Sequence, residues 1–297
     1  MQVKFTRSAG AEMTAKNEAD SMSHDMAPEE TRPRGKSLPK PCFLLARPRS
    51  GTTVFNRMLG THPKIVCMGE IFNEANERSY FHYLAGLNAE DPRSVFPGKA
   101  VANFTRFLET CKQYALEKKP GCRIVVLDVK YDQAHLLCEP WWRIGNLPRL
   151  FFLIREKKWK IIDIHRRDLA SLCVSNQVAI QTKIYHSTAL EQGQKQTARV
   201  NIRPDTFLRD VKSTKSVYDM IVQHFCGGSH YTTIFYEEMF DEDGNFSGEM
   251  LEGISTFLGV RNVFDPAPRL QKLLSEDIFA YVENAEEIRQ IILENAK

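Results

Sequence analysis

The chain has 297 residues, 42% hydrophobic and 26% charged, an ordinary globular mixture that excludes a wholly disordered or collagen-like polymer. Forty basic against 37 acidic side chains leave a net charge of +3, too weak a field to point to nucleic acid, so any anion site must be local. No apolar run reaches the ~18–20 residues of a membrane-spanning helix.

From Met1 to about Lys40 the chain is polar, carries Pro28, Pro33 and Pro39, and has no apolar h-region. It reads as a flexible leader over 1–40 rather than a secretion signal, with a single domain over 41–297. Cys42-Phe43-Leu44-Leu45-Ala46 is a short continuous apolar run, as expected of a strand buried on both faces. A turn through Arg47-Pro48-Arg49-Ser50-Gly51 follows, and Thr52 opens a helix. Val54, Phe55, Met58 and Leu59 form its inward stripe, with Asn56 and Arg57 facing elsewhere, and Gly60 and Pro63 stop it. A second apolar strand is expected over 123–129 and a third over 160–165, the latter followed by a helix from about Asp168 to Tyr185.

The stretch from Tyr185 to Arg203 is polar and reads as a long excursion. A helix begins at Pro204-Asp205, with Asp205 as its expected N-cap, and ends at Gly227-Gly228. Thr232–Tyr236 is a fourth strand, Gly248 to Leu258 a helix closed by Gly259, and Ile288, Ile291 and Ile292 mark a last packing helix. Strands alternating with helices imply an α/β fold, a central parallel sheet covered on both faces in three layers. The seven cysteines are odd in number and scattered, without a C-x-x-C pair. That pattern suits reduced thiols in a cytoplasmic protein.

The strand–turn–helix Arg49-Ser50-Gly51-Thr52-Thr53 is suited to phosphate-like oxygens. Backbone N–H groups and the helix dipole point at one spot, Gly51 admits close approach, and Arg49 adds a planar cation. Aligned on Gly51, the nucleotide-hydrolase loop G-x-x-x-x-G-K-[ST] would need lysine where Thr52 stands. An ordinary βα turn with an exposed arginine is the alternative. After the third strand, Arg167 and Ser175 are eight residues apart, so both can face one anion near a helix start. The alternative there is an arginine paired with a carboxylate such as Asp168, and an exposed serine.

These two motifs, in this order, resemble the sulfotransferases that use 3′-phosphoadenosine-5′-phosphosulfate (PAPS). The phrase His62-Pro63-Lys64-Ile65-Val66-Cys67-Met68-Gly69-Glu70-Ile71-Phe72-Asn73 looks like the Gly-Glu segment of the bacterial carbohydrate and small-molecule branch, which includes trehalose and nodulation-factor enzymes. The resemblance spans about Pro41 to Asn284. It implies a P-loop-type fold in which Arg49, Ser50, Gly51, Thr52 and Thr53 hold the 5′-phosphosulfate and Arg167 with Ser175 holds the 3′-phosphate. It further implies Lys130 as a second cation, Lys272 (or Arg269) as a cap over the donor, and release of 3′-phosphoadenosine-5′-phosphate (PAP) without a metal. Glu70 is the expected general base toward a hydroxyl or amine of a small-molecule or carbohydrate acceptor, and two-fold association is common in the family. The sequence departs from the steroid and phenol enzymes at Arg49, where they carry lysine, and in lacking a clear counterpart of their catalytic histidine.

Glu70 sits among Val66, Met68, Ile71 and Phe72, where desolvation is expected to raise a carboxylate's pKa. A glutamate paired with an arginine such as Arg57 is the alternative, and Asp132, His135, His62 and His165 are rival bases. Asp128 ends an apolar run like a magnesium-binding carboxylate, which keeps a P-loop kinase using ATP–Mg in view. A nucleotide-binding protein without turnover is the other alternative. Phe72, Tyr80, Phe81, Tyr83 and Tyr185 suit either ring stacking on an acceptor or core packing.

Overall fold

The computed structural model describes residues 37–143, 145–183, 199–267 and 278–295. The expected leader lies outside the described residues as far as 36, and Lys40 already belongs to a strand. Five strands form one parallel sheet: β1 (Lys40–Ala46), β2 (Ile65–Glu70), β3 (Ile124–Lys130), β4 (Lys160–His165) and β5 (Tyr231–Phe235), in the order β2-β3-β1-β4-β5. The helices are α1 (Thr52–Thr61), α2 (Tyr80–Glu90), α3 (Ala100–Lys118), α4 (Arg149–Glu156), α5 (Leu169–Thr182), α6 (Pro204–Phe225), α7 (Gly248–Leu258) and α8 (Ala285–Asn295).

The pleat of β1 separates two cores. Phe43 and Leu45 point to one face, where they meet Phe104, Phe107 and Leu108 of α3, Phe151 of α4 and Ile221 of α6. Cys42, Leu44 and Ala46 point to the other, against Phe55, Met58 and Leu59 of α1 and Leu251, Ile254 and Leu258 of α7. A large apolar side chain fully buried this way contributes roughly 1.5–3 kcal/mol, which is why β1 reads as an unbroken apolar run. A third cluster joins α5, α6 and α8 through Val174, Val178, Phe207 and Ile288. This is the three-layer α/β architecture with a central parallel sheet. Among the described residues no helix is long and apolar enough to cross a membrane, and the seven cysteines are free thiols.

Several details depart from the sequence reading. β2 adds a fifth strand, on the sheet edge, where one-sided pairing leaves a short apolar stretch with a bulge between Cys67 and Glu70. Asp205 is not an N-cap: Arg203 holds that position, Pro204 follows, and Asp205 sits in the first turn bonded to the Arg203 guanidinium. α5 ends at Thr182, before Tyr185, which lies outside the described residues. Asn56 faces inward, not away. Phe72 and Tyr80 are buried against Phe104, so they are core residues and not an acceptor platform.

Candidate active site

In a parallel sheet all carboxyl ends share one edge. The chain leaving β1 turns toward β2, whereas the chain leaving β4 turns toward β5. The crevice between β1 and β4 is therefore the switch point at which open α/β sheets bind ligands. The turn after β1 lies there. Arg49 (φ 68°) and Gly51 (φ 82°) are both left-handed, and they flank a fully buried Ser50. The Ser50 side chain faces the interior beside Tyr218, which leaves its backbone in the turn. Gly51 is required twice over: its φ disfavours any side chain, and a Cβ would stand 2.8 Å from the Tyr236 ring. No side chain caps the first turn of α1, so its N–H groups are left to face an anion. Thr53 is half-buried beside them.

Arg49 Nε donates to Ser175 Oγ at 3.3 Å. This contact crosses the crevice and joins the two sequence motifs directly. Arg167 goes elsewhere: its guanidinium lies over the Phe235 ring and pairs with Glu238. Glu237 accepts from the backbone N–H of Arg167 at 3.1 Å and of Asp168 at 3.3 Å. The two side chains expected to share one anion thus have different partners in the structure. Arg167 and Glu238 are each more than half exposed, and such surface pairs are held by only ~0–1 kcal/mol.

Lys130 ends β3 with its side chain turned toward α1. Its Nζ donates to Thr52 Oγ1 at 2.9 Å and to Asp128 Oδ1 at 2.5 Å, and lies 3.2 Å from Glu70 Oε1. Asp128 is buried, and its second oxygen accepts from Asn56 Nδ2 at 3.0 Å. Burial pushes the Asp128 carboxyl up, and the Lys130 charge draws it back. Both Asp128 oxygens thus have protein partners, one of them an ammonium.

Glu70 owes its direction to the bulge in β2. Gly69 adopts φ 70°, and Asn76 Nδ2 donates to the carbonyls of Met68 and Glu70, satisfying backbone groups that the irregular ladder leaves open. The carboxylate then reaches Lys130 on one oxygen and Asn73 Nδ2, at 3.3 Å, on the other. The apolar surroundings expected around it are not there. Met68, Ile71 and Phe72 bury into the core, while the Glu70 side chain keeps 28% of its exposure beside an ammonium.

The rival bases lie in different settings. His62 is buried at the far end of α1; its Nδ1 accepts from the Lys64 N–H and its Nε2 donates to the Arg261 carbonyl. His165 is buried, bonded to Asp163 at 2.8 Å and stacked 3.9 Å from the Tyr218 ring. Asp132 is exposed and paired with Arg47 at 2.6 Å, and His135 is exposed. Lys272 and Arg269 lie outside the described residues. Sequence reasoning missed Asn56 and the Asp128–Lys130 pair. The signal was present in part: residues two apart on a strand share a face, and residues four apart on a helix do likewise.

No family model matches the chain, and no curated protein matches it. Among solved structures it is similar to the sulfotransferase domain of the olefin synthase from Synechococcus PCC 7002, with 14% identity over 91% of this chain and 99% of that one and a TM-score of 0.38. It is also similar to sulfotransferase STF9 from Mycobacterium avium, with 13% identity over 87% of this chain and 76% of that one and a TM-score of 0.42.

Proposed function

We propose that the chain is a PAPS-dependent sulfotransferase that moves a sulfuryl group to a hydroxyl or amine of a small-molecule or carbohydrate acceptor. The observation that carries this reading is the position of Lys130, whose Nζ stands between Thr52 of the anion-binding turn and the Glu70 carboxylate. A cation beside the departing charge and a base beside the attacking atom are the two groups that such a transfer needs. The donor, when bound, supplies an activated sulfur: a bond from sulfur to the acceptor oxygen or nitrogen forms as the bond from sulfur to the 5′-phosphate oxygen breaks.

Glu70 takes the proton that the acceptor loses. Arg49, Lys130 and the uncapped amides of α1 receive the negative charge left on the phosphate oxygen, and removal of one such donor typically costs ~3–4 kcal/mol of transition-state stabilisation. Ser175, through its bond with Arg49, orients the guanidinium across the crevice. Arg167, on exchanging Glu238 for a phosphate, provides a planar cation at the start of α5. Lys272 is assigned to the donor by resemblance alone. The kinase alternative is disfavoured by the absence of a P-loop lysine at Thr52 and by the commitment of Asp128 to Lys130.

Calorimetry of the full chain with PAP in the absence of magnesium tests the reading. Binding is expected, weakened by Arg49→Ala and Arg167→Ala and spared by Glu70→Gln. No heat of association from a folded protein overturns it. In a transfer screen with PAPS, Glu70→Gln should retain less than about one hundredth of the wild-type rate, in line with the loss of a positioned base.

A further inference from the structure

Beneath the site, two residues of α1 and two of β3 close a small square. Thr52 and Asn56 are four apart on one helix face, and Asp128 and Lys130 are two apart on one strand face. The contacts run Thr52 Oγ1 to Lys130 Nζ, Lys130 Nζ to Asp128 Oδ1, and Asp128 Oδ2 to Asn56 Nδ2, at 2.9, 2.5 and 3.0 Å. We infer that Asp128, braced by Asn56, is a positioning residue that holds Lys130 as a fixed cation between the anion-binding turn and Glu70. The inference rests on the reading that Lys130 serves a bound donor.

An ammonium has three N–H donors, and here three oxygens surround it. Those of Thr52 and Asp128 belong to buried residues on rigid elements. The third, Glu70 Oε1, is the most distant of the three and belongs to the most exposed side chain. Glu70 is thus the partner that can leave, freeing one N–H for an incoming anionic oxygen while the other two keep the nitrogen in place. The Lys130 side chain is only 6% exposed, so its ammonium depends on protein partners in place of water. Asp128 keeps the charge in place without calling on Glu70. It also fixes a long side chain that otherwise carries large rotamer entropy. Asn56 in turn fixes the carboxylate so that its other oxygen faces Lys130.

The test is nitrogen NMR on the full chain labelled with ¹⁵N-lysine. One ammonium resonance protected from solvent exchange is expected, absent in Lys130→Met and shifted by PAP. It should persist in Glu70→Gln and exchange at least tenfold faster in Asp128→Asn. If Asp128→Asn does not fold, Asn56→Leu provides the same comparison with Asp128 retained but unbraced. A wild type without a protected resonance, protection unchanged in whichever of these two variants folds, or protection lost in Glu70→Gln overturns the inference. Failure of PAP to bind overturns the proposed function separately, because protection in the ligand-free protein is measured without it.

Discussion

At the residue scale, two glycines are left-handed for different reasons, and their substitutions should separate. Gly69 needs its φ of 70°, but a Cβ there would meet only Asn76 Nδ2 at an ordinary 3.7 Å. Gly51 needs its φ of 82° and also has the Tyr236 ring 2.8 Å from where a Cβ would stand. Gly69→Ala is expected to cost about 1–2 kcal/mol in urea unfolding, the usual penalty for a side chain in this region. Gly51→Ala should cost more and should also displace the turn, abolishing PAP binding. Equal losses in the two variants would show that the ring contact carries no weight. Asn56 illustrates why residue-level reading fell short. A polar side chain on an amphipathic helix is expected to face solvent unless a buried partner exists, and its partner Asp128 is 72 positions away in sequence.

At the element scale, β1, β3, β4 and β5 were legible because each is an apolar run bounded by turn residues. β2 was not, because Gly69 interrupts it and its register shifts at the bulge between Cys67 and Glu70, so the alternation is lost. The turn after β1 and the helix starting at Thr52 were legible from local chemistry alone, whereas the pairing of Arg167 with Glu238 depends on a distant turn that no spacing reveals. One side chain ties three carbonyls together in the passage from α1 into β2. Lys119 Nζ donates to the carbonyls of Gly60 and His62 at 2.8 Å and of Ile65 at 2.9 Å, satisfying groups at a helix C-terminus and opposing its dipole. Lys119→Met keeps the aliphatic stem and removes the donors. It should lower stability by about 2–3 kcal/mol, since hydrogen bonds to a charged group are among the stronger ones. The measurement is the urea midpoint at constant slope, and an unchanged midpoint would assign these carbonyls to solvent.

At the scale of the whole molecule, stability should fall on mild acidification. Burial holds the His62 imidazole below its ordinary 6.5, and His224 is lowered for the same reason, aided by Arg155. Both histidines are neutral in the folded and unfolded chain well above that value, so nothing is lost there. As pH drops through 6.5 the unfolded chain takes up protons that the folded state resists, and the balance moves toward unfolding by up to ~1.4 kcal/mol per pH unit for each group. For His62 the reason is structural: Nδ1 accepts from the Lys64 N–H and cannot do so once protonated. Melting temperature recorded from pH 7.5 to 5 should decline below about 6.5, with a shallower decline in His62→Gln. A profile that is flat in the wild type would refute the burial argument.

The bulged rim strand has a last implication. The turn bearing Arg49 and Gly51 springs from β1, clasped by neighbours on both sides, whereas Glu70 sits on β2, which has one neighbour and an outer margin. On the proposed function, the donor grip lies at the centre of the sheet and the base that serves the acceptor at its border. On that reading, changes along the border strand should alter acceptor selectivity while donor affinity stays intact, so the two can diverge independently.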